Sequence, residues 1–227
     1  MRRNFYGLPN AKTKSLEKLT KIVIFVLILA LIIFYFIATR YGFQTKVQKT
    51  IPALELSVAT KETPTKTKIT IDGTYTHYIF SNYGRGFLAF SRKDHLDSFD
   101  GSISISSHKE TQGKNYSLPL TFLEGSATLS YIEKGKDNYL DLGETFGSIH
   151  ATKNLEQMII LIMEKKGSQS SWDVDHSFLV APATTKEDVI EVFNQYLKEY
   201  PDSSYAPLII YLKSYLLERL ERPWTNE

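Results

Sequence analysis

The chain has 227 residues, with 27 Lys+Arg against 25 Asp+Glu, no Cys, 42% hydrophobic and 13% aromatic residues. This is the composition of a folded chain of one or two domains. Without Cys there is no disulfide, thiolate metal site, Cys nucleophile or lipidated N-terminal Cys, and a formal charge of +2 does not mark a nucleic-acid binder.

Residues 1–21 carry Arg2, Arg3, Lys12, Lys14, Lys18 and Lys21 against the single acid Glu17, a net +5, whereas residues 40–227 carry −3. Between them, Ile22 to Thr39 holds no charge. Eighteen residues at about 1.5 Å each make roughly 27 Å of helix, close to the hydrocarbon thickness of a bilayer. The run exceeds the 7–15 residues usual for a signal-peptide apolar region, and Thr39-Arg40-Tyr41 offers no small-residue cleavage pattern. The expectation is an uncleaved transmembrane helix over 22–39, with the lipid bilayer as its partner. Downstream, Arg40, Lys46 and Lys49 are outnumbered by the upstream cations, which places 1–21 as a short basic cytoplasmic tail and everything after the helix outside. Phe34, Tyr35, Phe36, Tyr41 and Phe43 cluster at the outer end, where amphipathic rings favour the interface. The expected address is thus the cell membrane, single-pass, with an extracytoplasmic C-terminal domain.

Residues 40–66 read as a stalk or leading strand. Leu54, Leu56 and Val58 alternate with Glu55 and Ser57, predicting a short edge strand over 53–59, and Pro64 breaks the polar run that follows. From 67 to 182 the apolar period is two: Ile69 and Ile71, Ile103 and Ile105, Leu118, Leu120 and Phe122, Ala127, Leu129 and Tyr131, Leu140 and Leu142. Asp72-Gly73, Asp100-Gly101, Glu124-Gly125, Glu133-Lys134-Gly135 and Lys166-Gly167 are read as the intervening turns. Pro119 marks an edge strand, since it cannot donate to a ladder, and Met158 to Met163 reads as a strand buried on both faces. Eight to ten strands in an antiparallel sandwich, meander or small barrel follow.

Over 183–227 the period becomes helical. Thr184 stands three residues before Glu187, a capping box, and Val189, Ile190, Val192, Phe193, Tyr196 and Leu197 form a stripe. After Tyr200-Pro201-Asp202 a second helix runs from about Ser204 to Arg219, with Leu208, Ile209, Leu212, Tyr215, Leu216 and Leu220 as its apolar set. The stretch Tyr200 to Ala206 between two amphipathic helices resembles the turn of a tetratricopeptide-type hairpin. One unit is visible, where such arrays stack about three, so a hairpin covering the β domain is expected. The fold class is α+β.

Chemical motifs are sparse. His77, His95, His108, His150 and His176 are scattered, with no H-x-H or H-E-x-x-H. Asp173-x-Asp175-His176 splays its groups to opposite faces of a strand. Asp94 to Gly101 is acidic at a spacing of three, not the two of a calcium loop, and reads as a solvated turn. Ser106-x-x-Lys109 and Ser15-x-x-Lys18 match S-x-x-K without companion motifs. Gly84-Arg85-Gly86 precedes a strand-like run, so it is a turn and not a dinucleotide loop. Asn115-Tyr116-Ser117 is a sequon, meaningful only in a eukaryotic secretory route. Asp137, Asp141 and Glu144 are candidate acids whose separation sequence cannot supply. The pairs Tyr196/Tyr200 and Tyr211/Tyr215 stand four apart, as packing or interface residues do. No catalytic, cofactor-binding or metal residue is assigned.

A basic tail, one membrane helix and a disulfide-free outer domain resemble, in organisation, the single-pass proteins of Gram-positive bacteria. The function expected is non-enzymatic binding of a membrane or envelope partner. The alternatives are an envelope hydrolase whose acids converge only in the fold, or a transmembrane sensor acting through residues 1–21.

Overall fold

The structure is a computed structural model and describes residues 11–57, 64–78, 96–112, 118–131, 145–163, 165–166, 169–170 and 177–220; side chains at 11–15, 38–40, 118, 165–166, 169–170 and 219–220 are left out of the description. The chain divides into two units, residues 1–41 and 42–227.

In the first unit, α1 spans Ala11–Arg40. Its segment Leu16–Ile37, 22 residues of mean hydropathy 2.8 with none of its window buried, is long and apolar enough to cross a membrane. Apolar side chains cover it all round: Ile22, Phe25, Ile28, Leu31 and Phe34 are all exposed. The one hydroxyl near its start, Thr20, returns its proton to the Leu16 carbonyl at 2.9 Å, which removes a free donor from the helix surface.

The second unit is an eight-stranded antiparallel sheet and two helices, the α+β layout expected. Its strands are β1 Phe43–Ser57, β2 Thr65–His77, β3 Asp97–Ile105, β4 Leu118–Phe122, β5 Ser126–Ser130, β6 Thr145–Ala151, β7 Met158–Ile162 and β10 Ser177–Ala181, in the order β4-β3-β2-β1-β10-β7-β6-β5. A separate two-stranded ribbon pairs β8, Lys165–Lys166, with β9, Gln169–Ser170. The outermost strands, β4 and β5, are joined by the tight turn at Glu124-Gly125, where Leu123 and Ser126 exchange backbone hydrogen bonds of 2.8 and 2.9 Å. The sheet therefore curls until its two edges meet at a corner, nearly closing a barrel. Gly125 has φ +76, which glycine alone adopts without strain, and Tyr200 fills the space a Cβ would take. Pro119 sits on edge strand β4, as expected.

Alternation decides which core each residue joins. Ile69, Ile71, Ile103, Ile105, Leu120, Phe122 and Leu129 point into the curled sheet. In β7, Met158, Ile160 and Ile162 point inward while Ile159 and Leu161 point outward. All five are buried, because the outer face of β1, β10 and β7 is covered by α2 (Lys186–Glu199) and α3 (Ala206–Leu220). Leu54, Leu56, Ile159, Phe178 and Val180 meet Val189, Val192, Phe193, Ile209, Leu212 and Leu216 there. The helical hairpin does cover the β domain, and α2 ends before Pro201.

Several expectations are corrected. Of the two readings of 40–66, a leading strand is the one found over 43–57, and it is neither short nor at an edge as expected for 53–59. It is a 15-residue strand paired with β2 along Phe43–Glu55 and with β10 along Leu54–Ser57. Asp72-Gly73 and Asp100-Gly101 are not turns but lie inside β2 and β3, with Gly73 directly opposite Gly101. A Cβ on either would strike the other's Cα at 2.5–2.7 Å, and the Phe99 ring lies across the pair. The glycines are there for close approach in a bent ladder. The cap of α2 is one residue later than read. Thr185, in extended conformation, accepts from Asp188 N, and Asp188 reaches back to Thr184 and Thr185. Those bonds hold the Asp188 carboxyl below its ordinary range. Leu208, one of the apolar set of the second helix, is 40% exposed.

Gly147 pairs with Ile162 across β6 and β7, and a Cβ there would come within 1.9 Å of the adjacent Leu161 carbonyl oxygen. Since backbone and not a flexible side chain must move, Gly147→Ala is expected to cost about 3 kcal/mol. Chemical denaturation of the full chain in detergent checks this. Thr128→Ala, on the exposed face of β5, should change stability by about 0.5 kcal/mol or less.

Candidate functional site

Three of the five histidines lie in the described residues, and they fall into three separate clusters; His95 and His176 lie outside. So do Asp137, Asp141, Glu144, Asp173, Asp175, Asp94, the Gly84–Gly86 segment and the Asn115 sequon.

The first cluster fastens β2 to β3. Asp97 is buried and accepts from Tyr75 OH at 3.1 Å, His77 Nδ1 at 2.8 Å and Tyr78 N at 3.0 Å. The acidic run is therefore not a solvated turn from Asp97 onward: it opens β3 and turns a carboxylate inward. Burial, together with the Asp97 charge, pushes the Tyr75 phenol up, so Tyr75 stays a donor. A carboxylate with three donors from one neighbouring strand is a satisfied buried acid.

The second cluster joins β1 to the chain after β3. His108 donates from Nε2 to Glu55 Oε1 and from Nδ1 to Glu110 Oε1, both at 3.2 Å. Ser107 Oγ donates to Glu55 Oε2 at 3.1 Å, and the imidazole packs edge-on against Phe146 at 5.2 Å. With both ring nitrogens donating to carboxylates the imidazolium is favoured. The hydrogen bond to Glu55 raises the His108 pKa against the opposing effect of burial, and the same bond lowers that of Glu55. Ser106 of the S-x-x-K match bonds Thr67 Oγ1 at 2.9 Å and receives the Lys68 N–H at 3.0 Å; it pins β2 at a strand end.

The third cluster lies under the helices. His150 is fully buried. Its Nδ1 meets Ser126 Oγ at 2.7 Å and its Nε2 meets Ser148 Oγ at 3.0 Å. Ser126 Oγ passes the chain to Tyr196 OH at 2.9 Å, and Tyr196 donates to the Glu124 carbonyl at 3.1 Å. Rings of Tyr196 and Tyr205 flank the imidazole at 5.9 and 5.0 Å. Burial pushes the His150 pKa down to about 4. Two hydroxyls can serve a neutral imidazole in either tautomer but offer an imidazolium no charge to meet. Of the two tyrosines four apart at the end of α2, Tyr196 is thus a buried network member and Tyr200 packs beside it at 5.3 Å.

Among the described residues no group of three His, Asp or Glu converges as a metal site. A shallow space of about 230 Å³ opens to solvent between Phe99, Gly101, Ile103, Leu120, Leu129, Ser130 and Tyr131. Its lining is mainly apolar. Tyr131, in its lining, donates its OH to the Ile103 carbonyl at 2.8 Å.

The most prominent surface feature is on α3. Ala206, Ile209, Leu212 and Leu216 face the sheet and α2. On the other side Ile210 is 51%, Tyr211 50%, Leu217 40% and Leu208 40% exposed, with Tyr205 at 39% just before the helix. Water is a poor solvent for such a run, and a helix apolar on both sides ordinarily has neighbours on both. Glu124 secures the helix start: its Oε2 accepts from Ser204 N at 2.9 Å and from Ser204 Oγ at 3.2 Å. Lys213 Nζ donates to Asn194 Oδ1 at 2.6 Å, tying α3 to α2. The face is thus held on a rigid support. Sequence reading located Tyr211 as an interface or packing residue but did not separate the two sides of this helix. Set against protein-family models, characterised proteins and solved structures, the chain matches none of them.

Proposed function

We propose that this chain is a single-pass membrane-anchored protein whose extracytoplasmic β domain binds a membrane or envelope protein partner through the outward side of α3, without catalysis of its own. The observation that carries the reading is the exposed apolar side of a helix whose other side is fully packed. α1 supports the address: its exposed apolar surface suits hydrocarbon, and a helix satisfies its own backbone there. The excess of cations before it favours a cytoplasmic N-terminus. The buried polar clusters support a binding reading more than a hydrolytic one, because each joins two elements of the fold through satisfied hydrogen bonds.

A photo-activated cross-linking amino acid placed at Tyr211 in growing cells tests this. It is expected to give a discrete adduct that the same group at exposed Thr128 does not give, and Ile210→Glu should abolish it. Equal labelling from both positions, or none from Tyr211, would contradict the assignment.

A further inference from the structure

We infer that the turn between α2 and α3 is an acid-sensitive flap: a proton on His150 beneath it lifts residues 200–206 off the corner at 124–126, while the sheet stays folded. This concerns how the hairpin is fastened and is independent of what the outward side of α3 binds.

The fastening is a chain of donors with one direction. Tyr196 OH gives its proton to the Glu124 carbonyl at 3.1 Å, so it accepts from Ser126 Oγ at 2.9 Å. Ser126 Oγ then accepts from His150 Nδ1 at 2.7 Å, and Nε2 accepts from Ser148 Oγ at 3.0 Å. Of the two neutral tautomers, this order selects the one protonated at Nδ1. A second proton goes to Nε2, where Ser148 can rotate to accept it, but its charge meets no anion.

The elements packed around the imidazole offer it none. β5 and β7 set Ser126 and Ile159 opposite it. The hairpin brings Tyr196, Tyr200 and Tyr205, phenols without charge between pH 4 and 7. Glu124 Oε2 is engaged by Ser204 N and Oγ, and Glu199 Oε1 by Lys153 N. Lys198, Glu199 and Asp202 are exposed to water. Burial alone holds the His150 pKa at about 4, in keeping with surroundings that present no counter-charge.

The cover is thin at one place. Ile149 and Ile159, beside His150 in the sheet, are wholly buried, whereas Tyr205, whose ring lies 5.0 Å from the imidazole, is 39% exposed. Pro201, Asp202 and Ser204 of the same turn are exposed too. The turn is held to the sheet at the corner: Ser204 by Glu124, Ser203 Oγ at 3.5 Å from Tyr196 OH, and the Tyr200 ring against Gly125. On either side of it, Phe193 and Ile209 are sunk in the apolar layer. Water therefore reaches a charged His150 at least cost by lifting the turn, not by parting the hairpin from the sheet.

Uncovered, the imidazole titrates near its ordinary value of about 6.5; covered, at about 4. The open form binds the proton more tightly, so acid favours it, and the opening equilibrium rises roughly 50-fold from pH 7 to pH 4.5. Amide hydrogen exchange of the full chain in detergent, corrected for the intrinsic effect of pH, reads this at Ser204, Ala206 and Ile209. Their N–H groups bond Glu124, Ser203 and Tyr205. Protection there is expected to fall roughly 50-fold, and by the same factor in about 1 M urea, because lifting a turn exposes little surface. His150→Gln, which takes no proton in this range, should hold the fall below about threefold. Tyr205→Ala, at an exposed position, leaves the imidazole hydrated at every pH and should hold it below about tenfold.

Unchanged protection would overturn the inference. So would a fall that urea deepens as much as it does in β2, which would mean that acid unfolds the whole domain. A fall that His150→Gln leaves intact would overturn it too and pass the role to the Glu124 carboxylate. If that variant does not fold, an intact fall in Tyr205→Ala decides the same way.

Discussion

Phe193→Ala is expected to remove about 3–5 kcal/mol of stability, enough to unfold a marginal domain. Phe193 lies wholly inside the layer between the sheet and the helices, with its ring edge-on to Phe178 at 6.3 Å. Truncation leaves a cavity within the cluster that also holds Leu54, Val180, Val189 and Ile209, on elements fixed by other contacts, so the site cannot readily collapse to fill it. Because Phe178 and Val180 belong to β10, which pairs with both β1 and β7, the loss is felt across the centre of the sheet. Ile210→Ala, on the outward side of the same hairpin, should move stability by about 0.5 kcal/mol or less. Denaturant unfolding of the full chain in detergent, followed by near-ultraviolet circular dichroism, separates the two. Equal effects would mean that the layers are wrongly assigned.

Acid should weaken the fold through His150. Its pKa is about 4 in the folded chain, against roughly 6.5 when unfolded. Between those values the unfolded chain binds more protons than the folded one. Stability from this group is therefore full above about pH 6.5, falls as pH drops through the window, and levels off below about 4. The whole loss is about 3 kcal/mol. Of the Glu55–His108 pair, His108 opposes part of it and Glu55 adds to it at lower pH. His108, raised by Glu55, adds stability that is present below its unfolded pKa and lost as pH rises through the folded one. Glu55, lowered by His108, adds stability that is present above its unfolded pKa and lost as pH falls through the folded one. His150→Gln keeps a donor and an acceptor for Ser126 and Ser148 but does not titrate. Its stability is expected to vary less between pH 7 and pH 4 than that of the parent by about 3 kcal/mol. Parallel profiles for the two would exclude His150 as the source.

The alternating strands are legible because one side of each meets a core: Ile69 and Ile71, or Ile103 and Ile105, repeat at two whatever their neighbours are. Met158 to Ile162 is legible for the complementary reason, having apolar layers on both sides. Gly73 and Gly101 mislead because Asp-Gly is a local turn pattern, whereas their role is set by each other across a ladder. The first half of β1 is hidden because Lys49, on the inward side with Val47, carries a charge. Its Nζ reaches the Leu155 carbonyl at 2.9 Å, in a turn where Asn154 and Leu155 both have φ near +55. The cap of α2 slips by one because Thr184 and Thr185 both carry a hydroxyl. The two sides of α3 cannot be told apart by composition, since Leu208 and Ile209 are equally apolar; only burial in the layer shared with α2 and the sheet shows which is covered. His150 gives no signal at all, because its partners Ser126 and Tyr196 come from distant parts of the chain.

The address of the domain beyond α1 is tested most directly by accessibility. Thr128→Cys, on the exposed face of β5, should react with a membrane-impermeant maleimide in intact cells, and the labelled chain should stay with the membrane through an alkaline carbonate wash. Labelling only after lysis, or a labelled product released without its first forty residues, would contradict the account.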